Sequence, residues 1–130
     1  MGAKYLFLTV MFFIIPSATL ALPEKYYQNE WCAANNGHAE VVLPDGARVD
    51  CLTATHAVEF DWAKKWAEGV GQARHYAAVT GRRGAVALIV GPRDERFVKR
   101  LQSSAGSDID IILVPRQQEP FPPAGKKGPL

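Results

Sequence analysis

Residues 48–77 have the sequence RVDCLTATHAVEFDWAKKWAEGVGQARHYA, which predicts two consecutive strands followed by a long helix. The strands correspond to the short β-branched segments 47–52 and 56–60. From 61 to 80 the apolar residues recur at helical spacing, and Gly81 is placed to terminate that helix. The short connection between the two strands favours an antiparallel hairpin.

The segments on either side complete a mixed α/β pattern. A further strand precedes the hairpin and is joined to it by the turn Pro44-Asp45-Gly46, so three strands form a meander. The order helix, three-strand meander, helix, strand, helix, strand predicts an α/β (mixed α+β) fold, with a mixed sheet flanked by helices. The other predicted elements are a helix within 23–37, strands at 38–43, 84–90 and 108–114, and a helix within 91–106.

The first 21 residues have the features of a secretory signal peptide. Lys4 supplies a positive start, the segment 5–15 is apolar apart from Thr9, and small residues precede a cleavage site after Ala21. An uncleaved membrane anchor is the alternative, but the apolar run is shorter than the roughly 20 residues that a spanning helix needs. We therefore expect a periplasmic or secreted protein with no stable membrane association after cleavage.

The rest of the chain is predicted to be one domain and a tail. Hydrophobic residues make up 48% and charged residues 22% of the sequence, which is the balance of a globular protein, and we place the domain at 22–114. Residues 115–130 are rich in proline, glycine and charge, so we expect them to be disordered. With 15 basic and 13 acidic residues, the charge is too even for a general nucleic-acid surface. Any such binding must come from a local site.

Cys32 and Cys51 are the only cysteines, and an oxidising compartment favours a disulfide between them. Closing a loop of this size would stabilise the fold by about 3 kcal/mol on the chain-entropy model. A zinc-binding module is the alternative, because His38 follows Cys32 and His56 follows Cys51. Those spacings are not typical of a zinc knuckle.

Carboxylates cluster at the predicted hairpin. Side chains alternate along a strand, so Glu59 and Asp61 share one face while Val58 and Phe60 take the other. Asp50 lies near Glu59 if the two strands pair. Carboxylates gathered at one place repel each other unless a hard cation such as Mg²⁺ or Mn²⁺ neutralises them. Two alternatives stay open, because Asp61 is also a suitable N-cap and Glu59 also fits a solvated strand face.

The long helix adds polar side chains to the same region. At helical spacing Lys65, Glu68, Gln72 and Tyr76 lie on one side, next to the apolar stripe, while Lys64 points toward water. A lysine one turn after the carboxylates could orient a water molecule or hold a phosphate oxygen. The alternative is a solvated pair between Lys65 and Glu68.

These residues resemble the catalytic core of the PD-(D/E)XK phosphodiesterase superfamily, which has the restriction-endonuclease-like fold. That fold has the element order helix, three meandering strands, helix, strand. Asp50 ends the second strand, where the family has its first acidic residue, and residues 59–61 occupy the place of its acid–any–lysine triplet. The resemblance extends over roughly 26–114, nearly the whole predicted domain.

The resemblance implies metal-dependent hydrolysis of nucleic-acid phosphodiesters. It assigns Asp50 and Glu59 as ligands of Mg²⁺ or Mn²⁺, with Asp61 as an additional contact. Family members commonly add a glutamate from the first helix, for which we expect Glu30 rather than Glu24.

One departure from the family concerns the lysine of the triplet, whose place is taken by Asp61. Some family members recruit this lysine from the following helix, and Lys65 lies on the side of the helix that would permit it. Gln72 and Tyr76 match a glutamine and a tyrosine that often occur four residues apart on that helix. The resemblance therefore implies a catalytic role for Lys65 and supporting roles for Gln72 and Tyr76.

Two functions of different class follow from the sequence. The first is an exported nuclease whose partner is nucleic acid, with local contacts from Arg74, Arg82 and Arg83, although cations also favour the end of a helix on electrostatic grounds. The second is a catalytically inactive, disulfide-stapled binding or structural module that retains the nuclease fold. Asp61 in the place of the lysine and the secretory signal both favour the second. The sequence does not define the oligomeric state.

Overall fold

The computed structural model describes residues 20–119. Within this range the chain forms a five-stranded sheet, a short two-stranded pair and three α-helices. In chain order the elements are β1 (Leu20–Ala21), α1 (Glu24–Ala34), β2 (His38–Val42), β3 (Arg48–Leu52), β4 (His56–Trp62), a 3₁₀ turn (Ala63–Lys65), α2 (Trp66–Thr80), β5 (Arg83–Val90), α3 (Glu95–Ala105), β6 (Ile109–Pro115) and β7 (Gln118–Glu119).

The large sheet has the strand order β2-β3-β4-β5-β6. The first three strands form the antiparallel meander, and β4, β5 and β6 run parallel to one another. Between its two parallel neighbours, β5 is fully buried from Ala85 to Ile89, which explains its continuous apolar sequence. The structure confirms the mixed α+β class and the predicted order of elements.

Helices cover both faces of this sheet. On one face α2 and α3 pack on β5 through a core that includes Val70, Leu88 and Leu101. On the other face α1 packs on β4 through Trp31, whose ring meets that of Phe60 edge-on at a centroid distance of 5.8 Å. The sheet is therefore the middle of three layers.

The structure corrects the predicted start of the long helix. β4 runs on to Trp62, which is paired in register with Ile89 of β5, and α2 begins only at Trp66 after the 3₁₀ turn. Asp61 is therefore a buried strand residue and caps neither the turn nor the helix with its side chain. The parallel pairing with β5 outweighs the helical spacing that extends back to 61 in the sequence.

The ends of the described chain close against each other. β1 pairs with β7, and the Tyr27 hydroxyl donates to the Gln117 carbonyl at 3.0 Å. Strand pairing thus continues past 114 into the segment predicted to be a tail, as far as Glu119. Cleavage after Ala21 would remove β1. Residues 1–19 of the predicted signal peptide and 120–130 of the predicted tail lie outside the described residues.

The disulfide between Cys32 and Cys51 is formed and joins α1 to β3. Both cysteines are buried, and the Cα of Gly37 lies so close to the two sulfur atoms that a side chain there would collide with them. Since both sulfurs are bonded to each other, they do not form the alternative zinc site. The disulfide is compatible with an oxidising compartment. No helix within residues 20–119 has the length and apolar character required to cross a membrane.

Candidate active site

The site begins where β3 and β4 diverge. Their register places Cys51 opposite Val58 and Leu52 opposite Ala57. Further along β4, the N–H of Phe60 donates to Oδ2 of Asp50 at 2.8 Å. This bond ties the Asp50 side chain to the backbone of β4 beside Glu59, as the predicted hairpin requires.

Glu59 and Asp61 are the two buried acids of the site. Glu59 is 5% exposed, and its Oε2 atom is buried without a hydrogen-bond partner among the described residues. Burial raises the pKa of Glu59 to about 9, and the negative charges of Asp50 and Asp61 contribute to the rise. The open alternative of a solvated strand face is therefore excluded for Glu59. Burial is also the main reason that the pKa of Asp50 is raised.

Asp61 lies two residues further on the same face of β4, beneath α2. A side chain at Gly69 of α2 would bring its Cβ to 3.7 Å from the Asp61 carboxylate, so the glycine lets the helix lie close to the acid. Burial, followed by the negative charge of Glu24, raises the pKa of Asp61 to about 7. The positive charge of Lys65 opposes this rise.

The first-helix glutamate at the site is Glu24 and not Glu30. Burial raises the pKa of Glu24, and the charge of Asp50 adds to the rise while that of Lys65 opposes it. Glu30 is exposed, because α1 turns its Gln28 and Cys32 side toward the sheet. The expectation for Glu30 is corrected accordingly. Glu30 lies six positions after Glu24, which is not a whole number of helical turns, so the two acids face different sides of the helix.

Lys65 is the lysine of the 3₁₀ turn whose charge acts on the acids of the site. Its charge lowers the pKa values of both Glu24 and Asp61, whereas Lys64 has no such effect on any acid of the site. Lys65 is exposed and has no carboxylate oxygen within 4 Å among the described residues, so the alternative of a close Lys65–Glu68 pair is not formed. The side chain is near enough to the acids for electrostatic coupling and free for a further partner.

Tyr76 closes the inner side of the site. Its ring is buried, and its hydroxyl donates to Oε1 of Gln72 at 3.1 Å. Burial and the nearby charges of Glu59 and Asp50 raise the pKa of Tyr76 above its usual range. The predicted Gln–Tyr pair therefore meets, with Tyr76 against the carboxylates and Gln72 at the surface.

Two further polar residues support Asp50, and the sequence analysis did not find them. The buried amide of Gln28 donates from Nε2 both to Oε1 of Glu40, at 2.9 Å, and to the Asp50 carbonyl, at 3.0 Å. Glu40 has a φ of 58°, a left-handed backbone conformation that is unusual for a residue within a strand. The only feature of the sequence that could have indicated a role for Gln28 is its position next to Tyr27 on the buried side of α1.

The three arginines expected to contact nucleic acid are occupied within the fold. Arg74 pairs with Asp108 and Arg83 pairs with Asp110, at 3.2 and 2.6 Å respectively. The guanidinium of Arg82 donates to the Thr53 carbonyl. These interactions join neighbouring elements, and none of them involves an acid of the candidate site.

The arrangement brings several carboxyl groups together, and two of them, Glu59 and Asp61, are buried from solvent. Within residues 20–119 no three His, Cys, Asp or Glu side chains are already disposed around a common point as metal ligands would be. At neutral pH without a cation, Glu59 retains its proton because its pKa is about 9. The cluster therefore holds at least one proton at neutral pH.

Comparison of the chain with models of protein families, with curated proteins and with solved structures finds no match. The likeness to the PD-(D/E)XK superfamily thus depends on the quoted residues and on the order of the elements.

Proposed function

We propose that this chain is a metal-dependent phosphodiesterase that hydrolyses nucleic acid. The observation that carries the proposal is the buried Oε2 atom of Glu59, which has no hydrogen-bond partner among the described residues and lies among other carboxylates. A buried carboxylate oxygen without a donor is costly unless a proton or a cation neutralises it. Oxygen ligands of this kind suit Mg²⁺ and Mn²⁺.

In this proposal Asp50 and Glu59 would hold the ion, and Asp61 or Glu24 would provide an additional contact. The bound ion would polarise a phosphate oxygen and increase the acidity of an attacking water molecule. Lys65 would fix the position of that water or of a phosphate oxygen through its ammonium group. Tyr76 would keep solvent away from the inner side of Glu59, because its ring is buried there.

Gln28 and Glu40 would set the orientation of Asp50. The hydrogen bond from Gln28 to the Asp50 carbonyl holds the backbone, and the bond from the Phe60 N–H to Asp50 Oδ2 holds the side chain. Groups that orient a ligand in this manner affect metal affinity although they do not touch the metal.

The second candidate is an inactive binding or structural module. It is favoured by Asp61 in the place of the family's lysine and by the absence, among the described residues, of three acids already arranged as metal ligands. On this hypothesis the buried acids keep their protons and contribute only to the structure.

Cleavage of labelled DNA and RNA distinguishes the two candidates. We expect hydrolysis with Mg²⁺ or Mn²⁺ and none with a chelator, and a decrease of about a hundredfold or more in Asp50→Asn and Glu59→Gln. Glu30→Gln is the matched control and should keep full activity, because Glu30 is exposed on α1. Circular dichroism would verify that each variant is folded. Cleavage that survives Glu59→Gln would contradict the proposal, and no cleavage with any divalent metal would favour the inactive module.

A further inference from the structure

A large groove opens beside the carboxylate cluster, at the ends of three parallel strands. Trp62 ends β4, Gly91 follows β5 and Arg116 follows β6, so these residues meet at one edge of the sheet. The groove has a volume of about 1470 Å³. Lys65 lines it and also acts electrostatically on Glu24 and Asp61, so the groove adjoins the acids.

Cations line the groove from separate elements. The 3₁₀ turn contributes Lys64 and Lys65, and the segment leading into α3 contributes Arg93 and Arg96. At the strand ends, the guanidinium of Arg116 lies 5.1 Å from the centroid of the Trp62 ring. The groove also contains two acids, but each already has a cationic neighbour. Asp94 lies 3.7 Å from Arg116, and Glu95 lies 2.8 Å from Lys99.

The distribution of unpaired cations points to this groove. Six of the lysines and arginines in residues 20–119 have a carboxylate oxygen within 4 Å, namely Lys25, Arg48, Arg74, Arg83, Lys99 and Arg116. Six have none, namely Lys64, Lys65, Arg82, Arg93, Arg96 and Arg100. Four of these six line the groove. Cations gathered without partners in a concave surface are complementary to a polyanion.

We propose that this groove binds one strand of single-stranded nucleic acid and leads its backbone to the carboxylate cluster. Because Lys64 and Lys65 come from one segment of the groove lining and Arg93 and Arg96 from another, a single phosphate backbone in the groove would meet cations from both. A positively charged groove with aromatic and guanidinium surfaces is the usual means of holding a single strand without regard to sequence. That the polyanion is a nucleic acid rests on the proposed phosphodiesterase function.

The test measures binding separately from hydrolysis. Fluorescence anisotropy of a labelled oligothymidylate, with chelator present, would compare the full chain with Arg93→Glu, Arg96→Glu and Arg100→Glu. Arg100 is the matched control because it lies on α3 with Arg96, is exposed and unpaired, and does not line the groove. We expect each of the first two variants to lose affinity about fivefold or more, and Arg100→Glu less than about twofold.

Salt dependence and duplex binding give two further readouts. The slope of log K against log [salt] should fall by about 0.7 in Arg93→Glu and in Arg96→Glu, if each removes one phosphate contact. A duplex of the same length should bind more weakly than the single strand. Equal losses in all three variants, or tighter binding of the duplex, would overturn the proposal. So would binding of anionic phospholipid vesicles with the same dependence on Arg93 and Arg96.

Hydrolysis of a small phosphodiester, bis(p-nitrophenyl) phosphate with Mn²⁺, separates this proposal from the proposed function. Arg93→Glu and Arg96→Glu should reduce that hydrolysis far less than they reduce cleavage of oligothymidylate, because so small a substrate does not span the groove, and Arg100→Glu should leave both unchanged. A chain that binds oligothymidylate as expected but hydrolyses neither substrate would retain the groove and contradict the phosphodiesterase function. If both arginine variants lost hydrolysis of the small substrate, the groove could not be a binding surface that is distinct from the carboxylate cluster.

Discussion

At the scale of single residues, the central feature is the proton on Glu59. The carboxyl group is enclosed by the sheet and α2, with Asp50 and Asp61 close by, and its pKa is raised to about 9. A second negative charge near a buried carboxylate increases the cost of ionisation. The folded chain therefore binds a proton at neutral pH that the unfolded chain releases.

This difference predicts how stability depends on pH in the absence of a divalent cation. The Glu59 contribution is fully present below the ordinary pKa of 4.5 and is lost as the pH rises through the folded value of about 9. The free energy of unfolding should therefore fall between about pH 5 and pH 9, and Glu59→Gln should reduce this fall. Urea unfolding across the range, with a chelator present, measures the slope.

The matched control for this experiment is Glu30→Gln, since Glu30 is exposed on α1 and its charge does not act on the acids of the site. It should keep the slope of the parent chain. A Glu59→Gln variant with the same slope as the parent would contradict the account of Glu59, because the proton would then reside elsewhere.

At the scale of elements, the site depends on how closely α2 approaches the sheet. Two glycines permit this approach at different points. A Cβ at Gly69 would lie 3.1 Å from Cγ1 of Val86 and 3.7 Å from the Asp61 carboxylate. A Cβ at Gly84 of β5 would lie 2.7 Å from the Ala73 carbonyl oxygen of the helix. The helix therefore packs backbone to backbone against β5.

We predict that Gly84→Ala destabilises the fold by about 1–3 kcal/mol, because the helix must move away from the strand. Gly71→Ala is the matched control on α2, since nothing lies within 4 Å of a Cβ there. It should be neutral or should stabilise by up to about 1 kcal/mol, because alanine favours the helix. Thermal unfolding of the two variants gives the comparison. A Gly84→Ala variant as stable as the parent would show that the close packing is unnecessary.

The elements themselves could be predicted from the sequence because their signals are local. Apolar alternation, the Pro-Asp-Gly turn and Gly81 define the strands and the end of α2. The start of α2 could not be predicted, because the extension of β4 to Trp62 depends on pairing with β5, which is distant in sequence. The choice between Glu24 and Glu30 required the rotation of α1 about its own axis. Only the packed structure defines that rotation.

At the scale of the whole molecule, the disulfide joins α1 and β3, two of the three elements that carry the acids. Cys32 lies one helical turn after Gln28 on α1, and Cys51 follows Asp50 on β3. The linkage thus holds the α1 residues Glu24 and Gln28 against the strand that carries Asp50. The groove was not predicted, because its cations come from three separate segments that only the folded sheet brings to one edge.

Replacing both cysteines by alanine should lower the free energy of unfolding by about 3 kcal/mol, since the disulfide closes a loop with a sequence separation of 19 residues. Urea unfolding measures the loss, and the double variant should be insensitive to a reductant that destabilises the parent chain. Equal stability of the parent chain with and without its disulfide would contradict this role.

The most direct test of the account is a calorimetric titration of the full chain with Mn²⁺ at pH 7.5, in two buffers of different ionisation enthalpy. If the ion replaces the proton on Glu59, binding should release about one proton per ion, and Glu59→Gln should release none and bind more weakly. Glu30→Gln should behave as the parent chain does. Absence of Mn²⁺ binding, or binding with the same proton release in Glu59→Gln, would contradict the claim that this carboxylate cluster is a metal centre.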